Sequence, residues 1–356
     1  MRGVGSHELL GVILKHENNF DLLRLIAACQ VVSSHADIWL NLKGRPSVFW
    51  LFPGVPIFFI ISGFLITGSF MRDQSVPRYA KNRFLRIYPA MVASLFIMFL
   101  MMIFTGVIPL RAMADSNTYI YFATLVVTGS TVLANSISTP SFEYGPNTLP
   151  FFPGGVLWTI VVELGFYLVV PLLIGKRWTW PLLVLVFVAS LWLAVEQVTM
   201  KNPWIDTTVP PYLWIFLLGA AVRLSWDKIG WLFKGTFPIW LTIHLLIWVG
   251  PAYKNPTPAV ILSIITLAGC VLSFAHTLPS LSKMFRGTDI SYGVYLYHMP
   301  IIMIFMIFGY KSEGWLWIAV YLATFAMAAI SWRLVEKPFL SLKAVSLARP
   351  TLRTTA

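Results

Sequence analysis

The sequence predicts an all-α integral membrane protein with about ten transmembrane helices and one re-entrant or interfacial segment. Of its 356 residues, 58% are hydrophobic and only 11% are charged, whereas soluble globular domains carry about 25% charged residues. The hydrophobic residues are gathered in runs long enough to cross a bilayer as helices. Because no stretch between these runs is long enough to form a soluble domain, we expect a single transmembrane domain over residues 1–356.

Eleven hydrophobic segments follow one another along the chain, without an apparent internal repeat. Pro171, Pro238 and Pro300 lie in or beside three of them and predict kinks or helix ends. The approximate limits of the segments are 20–42, 48–71, 86–106, 119–135, 155–174, 180–198, 211–223, 238–252, 258–276, 290–309 and 314–333.

The distribution of basic residues indicates which segment does not cross. If the weak, Thr-rich segment 119–135 re-enters or lies at the interface, and the N-terminus is cytoplasmic, 20 of the 26 Lys and Arg residues lie inside. This bias is what the positive-inside rule expects. Residues 1–19 then form a cytoplasmic N-terminal segment, without the features of a signal peptide, and residues 340–356 form a cytoplasmic tail. We therefore expect a multi-pass protein of the cytoplasmic (inner) membrane.

Charge and cysteine content argue against other classes of protein. The net charge of +12 does not indicate nucleic-acid binding, because the basic residues lie in short loops between hydrophobic runs. Cys29 and Cys270 both lie in apolar segments and are interpreted as small core residues rather than a disulfide. No cysteine spacing typical of a metal site is present, so no metal is expected.

The first segment, 20–42, carries an arginine, Arg24, near its start and a histidine, His35, deep inside. Such residues inside a membrane helix cost roughly 2.5 kcal/mol or more each on the insertion scale. Their separation of 11 residues equals three helical turns plus only about 20°, so both lie on one face, about 16 Å apart. This pattern predicts a titratable group near the midplane, above a cationic membrane edge. The alternative is a snorkelling arginine and a core histidine bonded to a carbonyl.

Two further motifs fall within the next two segments. Ser62 and Gly63 interrupt an apolar run, which indicates either close helix packing or a gap that admits a slim substrate. Arg83 and Arg86 are three residues apart and share a helix face. Arginine suits phosphate binding through two parallel hydrogen bonds, although arginines at a membrane edge also serve as orientation signals and lipid-headgroup contacts.

Candidate polar residues also occur in two later helices. Glu163 is the only acidic residue in its helix, and it is either functional or part of a structural ion pair with an arginine of another helix. His298 lies about two turns after Asp289, with the hydroxyls of Tyr292 and Tyr295 on neighbouring faces.

Four other ionisable residues are given structural interpretations. Glu336 and Lys337, where the last helix leaves the membrane, are interpreted as interface anchors or intersubunit contacts. His244 and His276 match no motif and are expected to be structural.

Taken together, these motifs resemble the acyltransferase 3 family of bacterial multispanning membrane acyltransferases. The resemblance runs from about Phe20 to Phe339, nearly the whole chain. Its marks are Arg24 and His35 separated by ten residues, the FF-x-x-SGF run with Ser62, the Arg83–Arg86 pair, Trp158 with Glu163, the SYG-x-YL-x-H run ending at His298, and the closing VEKPF run.

The resemblance implies transfer of an acyl group, usually acetyl, from cytoplasmic acyl-CoA to a hydroxyl of an extracytoplasmic glycan. Family targets include lipopolysaccharide, exopolysaccharide, peptidoglycan and some small molecules. It also implies ten helices with a re-entrant segment. No cofactor is expected to be permanently bound, and acetyl-CoA or another acyl-CoA is expected as the donor substrate. Many relatives carry a C-terminal hydrolase-like domain. This chain ends 17 residues after Phe339 and resembles the stand-alone members.

Within this family, catalysis is expected from His35 with Arg24 and Glu163, donor binding from Arg83, Arg86 and Ser62, and acceptor binding from His298 and Tyr295. His35 acts either as general base or as an acyl carrier, and Glu163 and His298 are also candidates for orienting it. The sequence leaves the acceptor, the acyl chain length and the oligomeric state open.

Two other functions fit part of the pattern. A transporter or flippase of a glycan or lipid-linked intermediate would also carry buried charges on ten helices, but it gives no reason for cationic edge motifs beneath one histidine. The other large class of membrane-bound O-acyltransferases also uses a membrane histidine, but the Arg24–His35 spacing argues against it. A purely structural scaffold does not explain the number of ionisable residues in apolar helices.

Overall fold

The computed structural model describes residues 18–42, 48–145, 148–200, 205, 207–249, 256–277, 281 and 288–345. Within these ranges the chain is helical and contains no strand, which confirms the all-α prediction. Most of the predicted N-terminal segment and tail lies outside the described residues. The α-helices are α1 Phe20–Leu40, α2 Val48–Leu51, α3 Gly54–Arg72, α4 Val76–Phe104, α5 Leu110–Met113, α6 Ser116–Thr128, α7 Thr131–Ile137, α8 Trp158–Leu173, α9 Thr179–Met200, α10 Leu213–Leu224, α11 Trp226–Ile229, α12 Phe237–Val249, α13 Pro256–Thr277, α14 Ser291–Ile307, α15 Leu316–Ser331 and α16 Lys337–Val345.

Several of these helices are long and apolar enough to cross a membrane. Within the described ranges there are five, or six if the pair Trp226–Leu232 and Phe237–Val249, bent by 73°, forms one span. Three shorter apolar helices, of 10–17 residues, accompany them. The chain is therefore a helical membrane protein, while the number of about ten crossings remains a prediction. The five spans are Gly54–Arg72, Val76–Phe104, Thr179–Gln197, Pro258–Thr277 and Leu316–Lys343.

The weak segment 119–135 is divided between α6 and α7. Gly129, with φ +71°, ends α6 in the left-handed conformation, which is a common helix C-terminus for glycine. The side chain of Ser130 then accepts a hydrogen bond from the Leu133 amide and caps α7. The two helices have 13 and 7 residues, whereas a span needs about 20. Neither can cross alone, as expected for a re-entrant or interfacial segment.

Helix α3 lies at the centre of the bundle, packed against α1 and α10. A Cβ atom on Gly63 would lie 2.0 Å from the carbonyl oxygen of Phe216, and one on Gly219 would lie 2.2 Å from that of Ile60. Both helices therefore need glycine where their backbones meet, as small residues allow in membranes. The close-packing interpretation of Gly63 is the one that the geometry supports.

Two helix boundaries differ from the sequence-based limits in ways that affect the site. Helix α4 begins at Val76, ten residues before the predicted limit of 86, so Arg83 and Arg86 lie inside a helix of 29 residues. After α15, a π-helical turn over Trp332–Glu336 leads directly into α16. The beginning of the predicted tail, up to Val345, is consequently helical and packs against α4.

Candidate active site

A cavity of about 950 Å³ runs along one face of α3. The lining residues of α3 extend from Val55, in its first turn, to Arg72, its last residue. This span of 17 residues corresponds to roughly 25 Å, most of the thickness of a bilayer core. The residues of α3 that line it, spaced mostly by three or four, are Val55, Phe58, Phe59, Ser62, Leu65, Ile66, Ser69 and Arg72.

The end of the cavity nearest Arg72 is rich in basic side chains. Arg83 lines it, with its guanidinium 5.8 Å from the ring centroid of Tyr79 and 5.7 Å from that of Tyr167. The Nε atom of Arg83 is buried without a hydrogen-bond partner. No carboxylate of the described residues lies within ion-pair distance of Arg83. Its charge is therefore available to an anionic ligand. The basic residues lining the cavity are Arg24, Arg72, Arg78, Arg83, Arg86, Lys337 and Lys343.

Arg86 differs from Arg83, because it is paired with acidic side chains. Its Nη2 donates to Asp289 Oδ2 at 2.5 Å, and its Nη1 lies 4.0 Å from Glu336 Oε2. Arg24 Nη1 lies 3.7 Å from the same Asp289 oxygen and 3.5 Å from Asp21. Burial raises the pKa of Asp289, whereas Arg86, Arg24 and the hydrogen bonds from Ser291 lower it, and together they hold this pKa below the ordinary value.

The interpretation of Glu336 as an interface anchor is wrong. Its side chain is only 2% exposed and faces Arg86, because the π-helical turn that it ends places it inside the bundle. The next residue, Lys337, lines the cavity rather than only marking the membrane edge.

Glu163 and Ser62 meet in the wall of the cavity. Ser62 Oγ donates to Glu163 Oε1 at 3.2 Å, and the hydroxyl of Tyr167 donates to the same oxygen at 2.5 Å. No arginine of the described residues lies within ion-pair distance of Glu163, which disfavours the structural ion pair. The contacts of its carboxylate are with hydroxyl groups and not with His35.

His35 and His298, which come from α1 and α14, form a stacked pair. Their ring centroids are 5.1 Å apart, and His35 Nδ1 lies 2.8 Å from His298 Nε2. His298 is fully buried, and its Nδ1 lies 2.7 Å from the carbonyl oxygen of Tyr295. Arg24 thus has acidic neighbours, and His35 has an imidazole partner rather than the carbonyl of the alternative interpretation.

These contacts fix the neutral tautomer of both histidines. A carbonyl oxygen only accepts, so His298 Nδ1 carries the proton and its Nε2 is an acceptor. His35 Nδ1 must then be the donor to His298. The remaining nitrogen of His35, Nε2, keeps a free lone pair, and His35 is only half-buried. The arrangement therefore presents a base.

Tyr295 separates the far end of the cavity from the histidine pair. Its hydroxyl lies 2.6 Å from Thr159 Oγ1, and both residues line the cavity. The Tyr295 ring lies 5.9 Å from His298 and 5.6 Å from Phe58. Neither histidine lines the cavity itself. Sequence reasoning missed Thr159, although its position four residues before Glu163 places both on one helix face.

Two further histidines of the described residues, His244 and His276, form hydrogen bonds within the protein. His244 Nδ1 lies 2.9 Å from Thr266 Oγ1 and its Nε2 lies 2.8 Å from the carbonyl oxygen of Leu51. His276 Nδ1 lies 2.7 Å from the Leu272 carbonyl oxygen in its own helix. Their partners agree with the structural roles predicted for both.

Comparisons with known proteins agree on one family. A family model described as an acyltransferase domain matches residues 17–335. Nodulation protein 10 of Rhizobium leguminosarum bv. viciae is 39% identical over 94% of this chain and 96% of its own. The peptidoglycan O-acetyltransferase OatA of Listeria monocytogenes is 27% identical over 91% of this chain and 56% of its own. The O-acetyl transferase of Shigella phage Sf6 is 24% identical over 92% of this chain and 97% of its own. No solved structure gives a significant match.

Proposed function

Because this chain belongs to the acyltransferase family, we propose that it is a membrane O-acetyltransferase that moves an acetyl group from cytoplasmic acetyl-CoA to a hydroxyl of an extracytoplasmic glycan. The names of two relatives support O-acetyl transfer, and one of them names peptidoglycan as the acceptor. Both termini would lie in the cytoplasm, as the distribution of basic residues predicts.

The observation that supports a CoA donor best is the long cavity with a basic end. Acyl-CoA carries a pyrophosphate and a further phosphate on one end and a thioester on the other, joined by a thin, mostly uncharged arm. The phosphates would bind near Arg83, whose charge has no acidic partner among the described residues. The arm would follow α3 for roughly 25 Å and bring the thioester to Tyr295, beside the histidine pair.

His35 would act as general base in this mechanism. Its Nε2 takes the proton of the acceptor hydroxyl while the hydroxyl oxygen attacks the thioester carbonyl carbon. When the tetrahedral intermediate collapses, the carbon–sulfur bond breaks and the CoA thiolate takes the proton back from His35. The hydrogen bond from His35 Nδ1 to the neutral His298 persists throughout and stabilises the imidazolium. Alternatively, His35 Nε2 attacks the thioester carbonyl carbon, and the carbon–sulfur bond breaks to release the CoA thiolate. The acceptor hydroxyl then attacks the acetyl carbon, the bond to Nε2 breaks, and the hydroxyl proton goes to the thiolate.

The experiment uses the protein in sealed proteoliposomes of known orientation. Acetyl-labelled acetyl-CoA is supplied only to the cytoplasmic face, and peptidoglycan fragments are held only on the other face. We expect labelled fragments and release of free CoA, both lost in His35→Ala. Label on the protein in the absence of fragments identifies the acyl-carrier route. Movement of fragments across the membrane without CoA release contradicts the proposal and favours a transporter.

A further inference from the structure

The proposed acetyl transfer creates a negative charge for which the histidine pair provides no stabilising donor. In the tetrahedral intermediate this charge lies on the former carbonyl oxygen of the thioester. Enzymes of this type place preorganised hydrogen-bond donors at that oxygen, and each is worth about 10²–10³ in kcat. A donor must therefore lie at the far end of the cavity, where the thioester meets the histidine pair.

Two hydroxyl groups line this end of the cavity, those of Tyr295 and Thr159. The other hydroxyl in the wall of the cavity close to them, that of Ser62, already donates to Glu163. Thr159 Oγ1 lies 3.0 Å from the Val156 carbonyl oxygen in its own helix, and the Tyr295 hydroxyl lies 3.4 Å from the same oxygen. Because the Thr159 contact is the shorter one, we assign Thr159 as the donor to Val156 and Tyr295 as the donor in the 2.6 Å contact with Thr159.

We infer that the Tyr295 hydroxyl is the oxyanion donor of the proposed reaction and that Thr159 is the residue that positions it. This inference rests on the proposed function. When a thioester enters, the Tyr295 O–H turns from Thr159 to the thioester oxygen, while Thr159 keeps its bond to Val156. Tyr295 is only 6% exposed, and a hydrogen bond at a buried position is electrostatically stronger than in water.

The backbone of Tyr295 links this role to the base. Its carbonyl oxygen accepts from His298 Nδ1, and His298 in turn accepts from His35. Tyr295 thus fixes the tautomer of the base through its backbone carbonyl, and it lines the cavity along α3. The Tyr295 hydroxyl and the histidine pair are therefore positioned by the same turn of α14, as a preorganised site requires.

The test compares Tyr295→Phe with Tyr297→Phe. Both tyrosines are buried, and the hydroxyl of Tyr297 donates to Ser331 Oγ at 3.1 Å, away from the cavity lining. We expect Tyr295→Phe to lower kcat by about 10²–10³, with the KM values for acetyl-CoA and acceptor within about twofold of the wild type, while Tyr297→Phe stays near wild type. Thr159→Val should lower kcat less, and Thr159→Ser should restore it.

Three outcomes overturn the inference. An unchanged kcat in Tyr295→Phe removes the donor role, and a change confined to the KM for acetyl-CoA makes Tyr295 only a contact for the donor arm. An equal loss in Tyr297→Phe indicates a structural effect common to buried tyrosines. Should Tyr295→Phe fail to fold, fluorotyrosine at position 295 keeps the hydroxyl but changes its acidity, and kcat must follow that change. A wild-type protein without acetyl transfer refutes the proposed function first, which distinguishes the two failures.

Discussion

Replacing Arg86 by glutamine will destabilise the protein much more than replacing Arg83 by glutamine. Arg86 belongs to a linked group of five charged side chains, with Arg24, Asp21, Asp289 and Glu336, whose formal charges are two positive and three negative. Without Arg86 the imbalance grows by one negative charge, and Glu336 is 2% exposed with both carboxylate oxygens lacking a hydrogen-bond partner. Removing one partner of such a buried ion pair typically costs about 3–5 kcal/mol.

Arg83 has no comparable ionic partner to lose. Its guanidinium faces the rings of Tyr79 and Tyr167, and exposed cation–π contacts are worth about 0.5–1 kcal/mol each. Its substitution also removes a buried Nε atom that has no hydrogen-bond partner, which offsets part of the loss. We therefore expect Arg83→Gln to fold with less than about 2 kcal/mol of destabilisation and to raise the KM for acetyl-CoA.

The assay is thermal unfolding of the purified variants in one detergent, followed by fluorescence-detected size exclusion. The double variant Arg86→Gln with Glu336→Gln is the decisive control, since it removes both charges of the pair. It should recover at least half of the stability that Arg86→Gln loses, as expected for coupled neighbours. The reasoning is refuted if the double variant is no more stable than Arg86→Gln, or if Arg83→Gln unfolds as readily as Arg86→Gln.

The remaining predictions concern the histidine pair and one carboxylate. His35→Ala should lower kcat for acetyl transfer by about 10²–10⁴ while the protein folds, and a folded variant with wild-type turnover would exclude His35 as the base. His298→Leu should lower kcat by roughly 10- to 100-fold, the effect seen for residues that orient metal-bound imidazoles. His298→Gln keeps an acceptor for His35 Nδ1 and should lower kcat less. Equal losses of kcat in the two variants would refute the tautomer assignment. Although burial raises the pKa of Asp289, Arg86, Arg24 and the hydrogen bonds from Ser291 hold it below its ordinary 3.8. The stabilising effect of the Asp289 carboxylate is therefore present above pH about 4 and is lost as pH falls through the lowered pKa. In thermal unfolding, Asp289→Asn should be less stable than the wild type at neutral pH, and this difference in stability should vanish in acid. A difference in stability that does not depend on pH would contradict this.

The helices were predictable from the sequence because their hydrophobic runs are long and uninterrupted. Segment 155–174 became Trp158–Leu173, and 290–309 became Ser291–Ile307. The helix limits differ most at α4, which begins at Val76, ten residues before the hydrophobic segment that starts at 86. The first ten residues of this helix include Arg78, Lys81 and Arg83, so hydropathy alone gave no signal for a helix there.

The site was predictable in its residue types but not in its pairings. Arg83 and Arg86 are equivalent by spacing, yet one faces aromatic rings and the other faces two carboxylates. Three helical positions differ by about 60° around the axis, enough to meet different neighbours. Glu336 was misplaced because a π-helical turn has no signature in a single sequence. Which helices meet depends on tertiary packing, and no local periodicity contains that information.

The fixed spacing of Arg24 and His35 acquires a physical meaning from the partner helix. Asp289, two residues before the start of α14, precedes His298 by nine residues, and the two pairs Arg24–Asp289 and His35–His298 connect α1 with α14 and its N-terminal end at two levels. The helices consequently run in the same direction, with a rise of about 16 Å along α1 between the paired positions. A slip of one turn, about 5.4 Å, would break the ion pair and the imidazole contact together. The register of α1 and α14 therefore holds His35 in place and also holds Arg24 and Asp289 beside the basic end of the cavity. This one helix pair fixes the two ends of the proposed acetyl-CoA path relative to each other.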